Sequence, residues 1–204
     1  MGSVAPVLLI ATTNPGKLRE FADMLKGVPV TLQSLIDVPG APRVAEDGST
    51  YIANACAKAV VIARWSGHIA LGDDSGLEVD ALGGAPGIHS ARYAGAAQDN
   101  GANIAKLLQA LAGVPEAQRT ARFRCALVVA RPDGRTLTAE GSCEGRITER
   151  PCGSSGFGYD PVFFFPPAGR TFAELPSAIK NQVSHRARAC AQLGERLTEF
   201  MRSG

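Results

Sequence analysis

The sequence lacks any hydrophobic run long enough to cross a membrane, because no stretch approaches the roughly 18 uncharged apolar residues of a spanning helix. Its start lacks the basic segment of a signal peptide, and the apolar run there is short. The five cysteines are scattered, with no CxxC pair and no Cys/His spacing suited to zinc. We therefore expect reduced thiols and a cytoplasmic protein that contacts no membrane.

Internal repeats, low-complexity tracts and heptads are also absent, which excludes a collagen-like chain and a coiled coil. Charged residues make up 20% and apolar residues 45% of the 204 residues, as in an ordinary globular protein. A chain of this length buries roughly 70% of the surface that it exposes when unfolded, so it needs no disulfides. The net charge of +2 argues against general binding of polyanions.

Alternating and continuous apolar segments predict a mixed α/β fold. The predicted strands cover 7–11, 28–32, 68–72, 77–82, 122–130 and 136–149, and an apolar run follows a glycine-rich loop at 162–165. The predicted helices cover 17–26, about 15 residues from Ser49 or Thr50, 98–112, and Ser184 to about Met201. For the second helix we predict an inner face with Ile52, Cys56, Ala59 and Ala63. No segment has the character of a linker, so we predict one domain over residues 1–204, with flexible ends at 1–5 and 203–204.

The first candidate site is the segment Thr12-Thr13-Asn14-Pro15-Gly16-Lys17, between a predicted strand and a predicted helix. Backbone N–H groups and a lysine at the start of a helix suit a phosphate group. The segment is not a P-loop, since Ala11 and Leu18 stand where that motif needs Gly and Ser or Thr. An ordinary strand–helix turn with a solvated lysine is the alternative.

The second candidate site is acidic. Asp73-Asp74 follows an apolar strand, and Ser75-Gly76 is predicted to turn the chain. Neighbouring side chains on a strand point in opposite directions, so one aspartate can face a cleft while the other anchors the turn. Glu46 lies before the long helix and offers another carboxylate, and Mg²⁺ prefers such oxygen ligands. Capping of a turn is the alternative role of the aspartates.

Two further candidates follow in the second half of the chain. Gly156-Phe157-Gly158-Tyr159-Asp160-Pro161 combines glycines, which permit close backbone approach, with aromatic rings on which a planar base can stack. Lys180 and Ser184-His185-Arg186 lie at the start of the last helix, where basic groups oppose the helix dipole and therefore suit an anion or hydrogen-bond acceptor. A structured turn and a solvated cationic turn are the alternatives.

Together and in this order, these motifs resemble the inosine/xanthosine triphosphate pyrophosphatase family, which acts on noncanonical purine nucleotides. The resemblance extends from about Val7 to Arg188. It is carried by ATTNPGK at 11–17, EDGSTYIANACAKA at 46–59, DDSGLEVDALGGAPGIHSARYAG at 73–95, GFGYDPVF at 156–163 and KNQVSHR at 180–186.

The resemblance implies an elongated, two-lobed α/β domain with a central mixed β-sheet flanked by helices, a nucleotide cleft between the lobes, and a homodimer. It implies Mg²⁺-assisted hydrolysis of ITP, dITP, XTP and dXTP to the nucleoside monophosphate and pyrophosphate, which keeps these nucleotides out of DNA and RNA. It also implies an enzyme whose partner is a small purine nucleoside triphosphate rather than a nucleic acid.

The resemblance also assigns roles by position. Thr12, Thr13, Asn14, Pro15, Gly16 and Lys17 match the triphosphate-binding loop, with Lys17 also catalytic. Glu46 and Asp74 match the metal-binding carboxylates. Asp74 matches the general base, although its neighbour Asp73 is an alternative base. The remaining substrate contacts match Ser75, Phe157, Gly158, Tyr159, Asp160, Lys180, His185 and Arg186.

Discrimination between bases should be polar. A 6-oxo purine offers an acceptor where adenine carries an amino group, so a buried donor such as Arg186 would accept inosine and reject adenine. The charge is also sorted along the chain: residues 46–80 hold six carboxylates against two basic residues, and residues 164–204 hold six basic residues against three acidic ones. That pattern fits an acidic, metal-binding wall and a basic wall facing one nucleotide.

Two other functions remain open from the sequence. One is a pyrophosphatase that prefers pyrimidine triphosphates such as dTTP and UTP. The other is a nucleic-acid-binding module that uses Lys17, Lys180, Arg186 and Arg188, which would bind DNA with a steep dependence on salt.

Overall fold

The computed structural model describes residues 5–202, so the predictions for residues 1–4 and 203–204 lie outside the described residues. The strands are β1 Val7–Ile10, β2 Thr31–Ser34, β3 Ile69–Val79, β4 Thr120–Ala130, β5 Thr136–Ile147, β6 Phe163–Phe165 and β7 Arg170–Thr171. The α-helices are α1 Pro15–Met24, α2 Tyr51–Ser66, α3 Asn100–Ala110, α4 Ser177–Val183 and α5 His185–Arg202. Within residues 5–202, no helix is long and apolar enough to span a bilayer.

The strands form one seven-stranded mixed sheet in the order β2-β1-β3-β4-β5-β6-β7. β1 pairs in parallel with β2 and with β3, whereas β6 pairs antiparallel with β5 and β7. The α/β class predicted from the sequence is confirmed. Backbone contacts divide the described chain into two compact units, residues 5–74, 125–141 and 188–202 in the first and 75–124 and 142–187 in the second.

In the first unit, the short apolar run of β1 is buried on both faces. Leu8 and Ile10 belong to one core cluster, and Leu9 belongs to another. A parallel strand covered on both sides must be apolar at every position, which explains why this run does not alternate. The second cluster contains Ala55 and Ala59 of α2, whose small side chains bring that helix close to the sheet.

The second unit is built around aromatic rings. Phe123 of β4, Phe163 of β6 and Phe172 lie with ring centroids 4.5 to 5.9 Å apart, and all three are buried. Leu107 of α3 is buried in the same cluster. Aromatic rings bury more area per residue than aliphatic side chains, so a few of them supply much of this core.

The ends of α2 follow the prediction closely. Thr50 accepts a hydrogen bond from the Ala53 N–H at 3.2 Å, and Gly67 ends the helix at φ 71°, so the predicted cap and length are confirmed. The predicted inner face is wrong by part of a turn. Ala59 and Ala63 are buried, but Ile52 is 36% exposed. The helix instead buries Asn54 and Lys58, two polar residues that the apolar pattern alone places outside.

The predicted turn at Ser75-Gly76 is also wrong, because β3 continues through it from Ile69 to Val79 as one strand. The glycine at 72 serves packing. A Cβ there would lie 2.1 Å from the Ala55 carbonyl oxygen of α2, so only glycine permits that helix to approach so closely. Helix α4 and strand β7, which the sequence did not predict, complete the second unit.

Candidate active site

The middle of β3 places two carboxylates on opposite faces of one strand. Asp73 and Asp74 are adjacent in the extended chain, and they are only 3% and 6% exposed. Their partners differ accordingly. Asp73 contacts Lys17 of α1, whereas Asp74 contacts Lys58 and Asn54 of α2. A buried carboxylate that is not paired is costly, so each needs the donors that its own helix supplies.

Asp73 is held at both of its oxygens. The Lys17 ammonium forms an ion pair with Oδ1. The Cys125 thiol of β4 donates to Oδ2, with Sγ and oxygen 3.3 Å apart. The carboxylate of Asp73 therefore fixes the Lys17 ammonium against β3.

Asp74 belongs to a second set of contacts around Lys58. The Lys58 Nζ lies 3.4 Å from Asp74 Oδ1 and 3.1 Å from Glu46 Oε1, and Asn54 Nδ2 donates to Asp74 Oδ2 at 3.0 Å. Burial raises the pKa of Asp74 above its usual value, although Lys58 and Asn54 act in the opposite direction. Burial tends to lower the pKa of Lys58, but the charges of Asp74, Glu46 and Asp73 outweigh it, and this pKa lies above its usual value.

The loop before α1 is organised by its own side chains. Asn14 caps the helix, since its Oδ1 accepts from the N–H groups of Gly16 at 2.8 Å and Lys17 at 3.1 Å. The Thr12 hydroxyl accepts from the Asn14 N–H at 3.1 Å, and Pro15 occupies the first turn of the helix, where its missing N–H costs nothing. Thr13 is exposed. Two of the amides predicted to bind phosphate are thus paired with Asn14 in this structure.

The carboxylates suit a hard cation such as Mg²⁺ in their chemistry. Glu46 and Asp74 both direct an oxygen at the Lys58 ammonium, so they already share one cationic partner. Because burial disfavours the ionised form of Asp74, a further cation nearby would stabilise that form. Mg²⁺ is usually held by one or two carboxylates together with phosphate oxygens and water. Among residues 5–202, no group of three or more His, Cys, Asp or Glu side chains is arranged to hold a metal by itself.

In the second unit, Asp160 connects the glycine-rich loop to α4. Its Oδ2 accepts from the Phe157 N–H at 2.8 Å and forms a buried ion pair with Lys180. The Lys180 Nζ also lies 4.8 Å from the centroid of the Phe157 ring. A Cβ at Gly156 would lie 2.1 Å from Asp160 Oδ2, so glycine is required for the loop to close over this carboxylate.

The start of α5 contributes the other predicted residues. The His185 ring stacks on Phe123 with centroids 4.7 Å apart, and the Arg186 guanidinium donates to the Ser75 hydroxyl at 2.9 Å. Arg186 is 1% exposed and lies 5.9 Å from the Phe157 ring centroid. Ser184 accepts from the Ala187 N–H at 3.2 Å, as predicted for a helix cap. Stacking and hydrogen bonds thus fix both basic side chains.

The side chain of Tyr159 is buried rather than open to a ligand. Its hydroxyl donates to the Ser90 carbonyl oxygen at 2.9 Å, and its ring is buried in the aromatic core. Burial raises the pKa of this phenol, which therefore stays protonated as a donor. Gly158, one residue before it, has φ 60°, a conformation that favours glycine. The direct contact of Tyr159 with substrate stays a prediction.

Known proteins resemble this chain along nearly its whole length. A sequence profile of the Ham1 family matches residues 8–196. The chain belongs to the Ham1 family. It is 53% identical over 194 residues to a dITP/XTP pyrophosphatase of Geobacillus kaustophilus, covering 95% of each protein.

Solved structures of the Ham1 family share this fold. A HAM1 protein from Coxiella burnetii matches with a TM-score of 0.85 at 38% identity, covering 95% of this chain and 99% of that one. A nucleoside-triphosphatase / dITP/XTP pyrophosphatase from Mycobacterium abscessus matches with a TM-score of 0.73 at 41% identity, covering 94% and 99%.

Sequence reasoning missed two residues of the first unit that contact the predicted site. Asn54 and Lys58 were quoted within the 46–59 motif without a role, yet both contact Asp74. A signal was present, since they lie four residues apart in a helix that is otherwise mostly apolar and therefore share one face. Ser90, which positions Tyr159 and accepts from the Leu77 N–H at 2.8 Å, carried no such signal.

Proposed function

We propose that this Ham1-family protein hydrolyses deaminated purine nucleoside triphosphates to the nucleoside monophosphate and pyrophosphate. The observation that carries the reaction type is the set of carboxylates and lysines on the two faces of β3, in which Asp74 is buried and its pKa is raised. Relatives named dITP/XTP pyrophosphatase support the substrate class. The proposed role is to keep ITP, dITP, XTP and dXTP out of DNA and RNA.

In the proposed mechanism, Lys17 and the 12–17 loop hold the triphosphate. Because Asp73 engages Lys17 and Cys125, we assign it to positioning Lys17. We assign the base to Asp74, as the family resemblance implies. Asp74 takes the proton from the attacking water while the water oxygen bonds to phosphorus, the bond from that phosphorus to the bridging oxygen breaks, and pyrophosphate leaves. A general base must be ionised when the water arrives, and the Lys58 ammonium and the Asn54 amide, at 3.4 Å and 3.0 Å from the two oxygens, stabilise the ionised form of Asp74.

Glu46 and Asp74 are the residues that would hold Mg²⁺, with Lys58 between them as the competing cation. When bound, Mg²⁺ would neutralise charge on the phosphate oxygens and make water a better nucleophile. The protein residues then orient the reactants, since Asn54 fixes one oxygen of Asp74 and Lys58 faces the other.

We assign recognition of the base to the second unit. Phe157 offers a ring for stacking, and Lys180, His185 and Arg186 offer donors to the 6-oxo group. Adenine would bring a donor against these donors, and such an unmet pair of polar groups gives strong rejection.

A turnover panel tests the proposal. Purified protein is given ITP, XTP, dITP, GTP, ATP, dTTP and UTP, with and without Mg²⁺, and pyrophosphate and orthophosphate are measured separately. We expect pyrophosphate from ITP, XTP and dITP, little from ATP, dTTP and UTP, and no turnover after chelation. GTP carries the same 6-oxo group as ITP, so its turnover measures any discrimination at C2 separately. A preference for dTTP or UTP would contradict the proposed function and indicate a pyrimidine nucleotide pyrophosphatase. Tight, salt-sensitive binding of DNA without turnover would contradict it too and indicate a nucleic-acid-binding module.

We also propose a homodimer in the cytoplasm, which rests on the family resemblance. Light scattering at several protein concentrations gives the mass directly. A mass of about twice the chain's 21.2 kDa supports the dimer, and a mass of one chain contradicts it.

A further inference from the structure

Cys125 contacts the proposed active site from the neighbouring strand β4, through the carboxylate of Asp73. It is 2% exposed on β4, and its Sγ lies 3.3 Å from Asp73 Oδ2. The carboxylate can only accept, so the thiol donates. Asp73 Oδ1 is engaged by Lys17. The two oxygens of Asp73 are therefore held by residues from two different elements, α1 and β4.

Two contacts are what an aspartate needs for a defined orientation. The last torsion of an aspartate side chain is broad, so rotation of its carboxylate plane is restricted mainly by what its oxygens touch. Loss of the thiol contact would remove one restraint on this rotation, and a carboxylate that rotates carries the lysine ammonium with it. The thiol on the second oxygen opposes this rotation.

We propose that Cys125 is a positioning residue that orients the Asp73 carboxylate and thereby holds Lys17 in place for the triphosphate. This inference rests on the proposed function, in which Lys17 acts on the phosphates. Cys125 is buried and its thiol faces Asp73, so the proposal gives it no contact with substrate and its effect on the rate passes through Asp73.

A cysteine suits this position better than the other small residues. It belongs to the apolar cluster that contains Leu71 and Leu127, where an alanine would fill less space and donate nothing. A serine would donate but would bring a more strongly hydrated hydroxyl into apolar surroundings, at a cost in stability. The alternative is that Cys125 only fills the core. In that case its replacement would change stability but leave the geometry of Asp73 unchanged.

The test compares Cys125→Ala with Cys125→Ser, using the full-length protein, ITP and Mg²⁺. We expect kcat to fall about tenfold in the alanine variant, as expected for loss of one hydrogen bond to a charged group. The serine variant should recover to within about threefold of the wild type, although its melting temperature is no higher than that of the alanine variant. Equal loss of kcat in both, or none in the alanine variant, would overturn the proposal.

Cys143 provides the matched control. It is a fully buried cysteine on β5 whose Sγ lies 3.9 Å from the Glu144 carbonyl oxygen. Cys143→Ala should lower the melting temperature and leave kcat for ITP near that of the wild type. A fall in kcat as large as that of Cys125→Ala would show that loss of any buried thiol has this effect, and would contradict the proposal.

A measurement without turnover separates this inference from the proposed function. The infrared S–H stretching band of Cys125 is assigned by its loss in Cys125→Ala, and it should be shifted to low frequency by the charged acceptor. Asp73→Asn should move this band and leave that of Cys143 in place. If the wild type hydrolyses no nucleotide, the proposed function fails, but the S–H band still tests the contact between Cys125 and Asp73. A band whose frequency does not change in Asp73→Asn would overturn the inference itself.

Discussion

The two units support their candidate residues in different ways. In the first unit, three carboxylates face two ammonium groups. We call these residues the lysine–carboxylate cluster: Lys17, Glu46, Lys58, Asp73 and Asp74. In the second, the aromatic cluster (Phe157, Asp160, Lys180, His185 and Arg186), one carboxylate accompanies two fixed cations.

This difference in charge indicates what each cluster can accept. The excess negative charge of the lysine–carboxylate cluster favours the binding of one more cation. Burial strengthens this attraction, because water does not screen the charge of Asp74. The aromatic cluster has an excess of donors and rings, which suits a planar group with an acceptor oxygen. The proposed chemistry on phosphate and the proposed selection of a base therefore rest on different residues, and we expect single substitutions to affect one without the other.

The largest effect is expected from Asp74→Asn. The amide keeps the size and can still accept from Asn54, but it can neither take a proton nor contribute charge to Mg²⁺. We expect turnover of ITP to fall by roughly a thousandfold or more. Binding of ITP should persist, measured by calorimetry.

Asp80→Asn is the control for this prediction. Asp80 is an exposed aspartate that contacts Thr120 and Arg122 at the surface of the second unit, and its variant should keep near-normal turnover. Near-normal turnover in Asp74→Asn would move the base to another residue, with Asp73 the next candidate. The ratio of rates for ITP and ATP should be unchanged in any residual activity, because the aromatic cluster is untouched.

Arg186→Met should show the opposite pattern. Methionine fills much of the buried volume but cannot donate, so the preference for ITP over ATP should fall roughly tenfold to hundredfold. The ratio of kcat/KM for the two nucleotides measures this loss. Arg188→Met, two residues later and exposed, should leave the ratio intact. An unchanged ratio in Arg186→Met would contradict the proposed role of Arg186 in discriminating between bases.

Some parts of the structure could be predicted from the sequence better than others, for physical reasons. The 12–17 loop and α2 were predictable because Asn14 and Thr50 cap helices through local contacts. Ser75-Gly76, directly after Asp73-Asp74, was predicted as a turn, since serine and glycine are typical of turns. Gly72 instead accommodates a helix that is distant in sequence, and no local pattern carries that information.

The contacts of the site were harder to predict than its members. Most proposed site residues were named from the sequence, but the pairing of Asp73 with Cys125, 52 positions apart, depends on the arrangement of β3 and β4. Lys58 was missed because charged residues inside helices are usually solvated, whereas here two carboxylates stabilise its charge.

Two glycine variants should perturb the units one at a time. Gly72→Ala would place a Cβ 2.1 Å from the Ala55 carbonyl oxygen and push α2, which carries Asn54 and Lys58. Gly145→Ala would place one 2.5 Å from the Phe163 ring and the Phe164 carbonyl oxygen, within the aromatic core. Each should cost about 1–3 kcal/mol in the free energy of unfolding, measured by urea titration.

The kinetic consequences of these variants should differ. Gly72→Ala should lower kcat and keep the ratio of ITP to ATP, because it displaces groups around Asp74. Gly145→Ala should lower the ratio more than kcat, because Phe163 packs on Phe123, which stacks on His185. If both variants changed the same parameter by the same factor, the two functions would not be separable in the way that their charges indicate.

The smallest effect is expected from Ser75→Ala, which tests how firmly Arg186 is held. The serine hydroxyl accepts from the Arg186 guanidinium at 2.9 Å, and its loss removes one hydrogen bond while the arginine keeps its charge. A hydrogen bond to a charged group contributes about 1.5 kcal/mol or more when intact, but Arg186 keeps its charge in this variant. We therefore expect only part of that contribution to be lost, and the ratio of ITP to ATP to fall by roughly threefold to tenfold. Ser75→Thr, which keeps the hydroxyl, should retain more of the preference than alanine. Because Asp74 immediately precedes Ser75 in the chain, kcat for ITP must also be measured. A fall in kcat with an unchanged ratio would mean that the substitution acts through the lysine–carboxylate cluster rather than through Arg186.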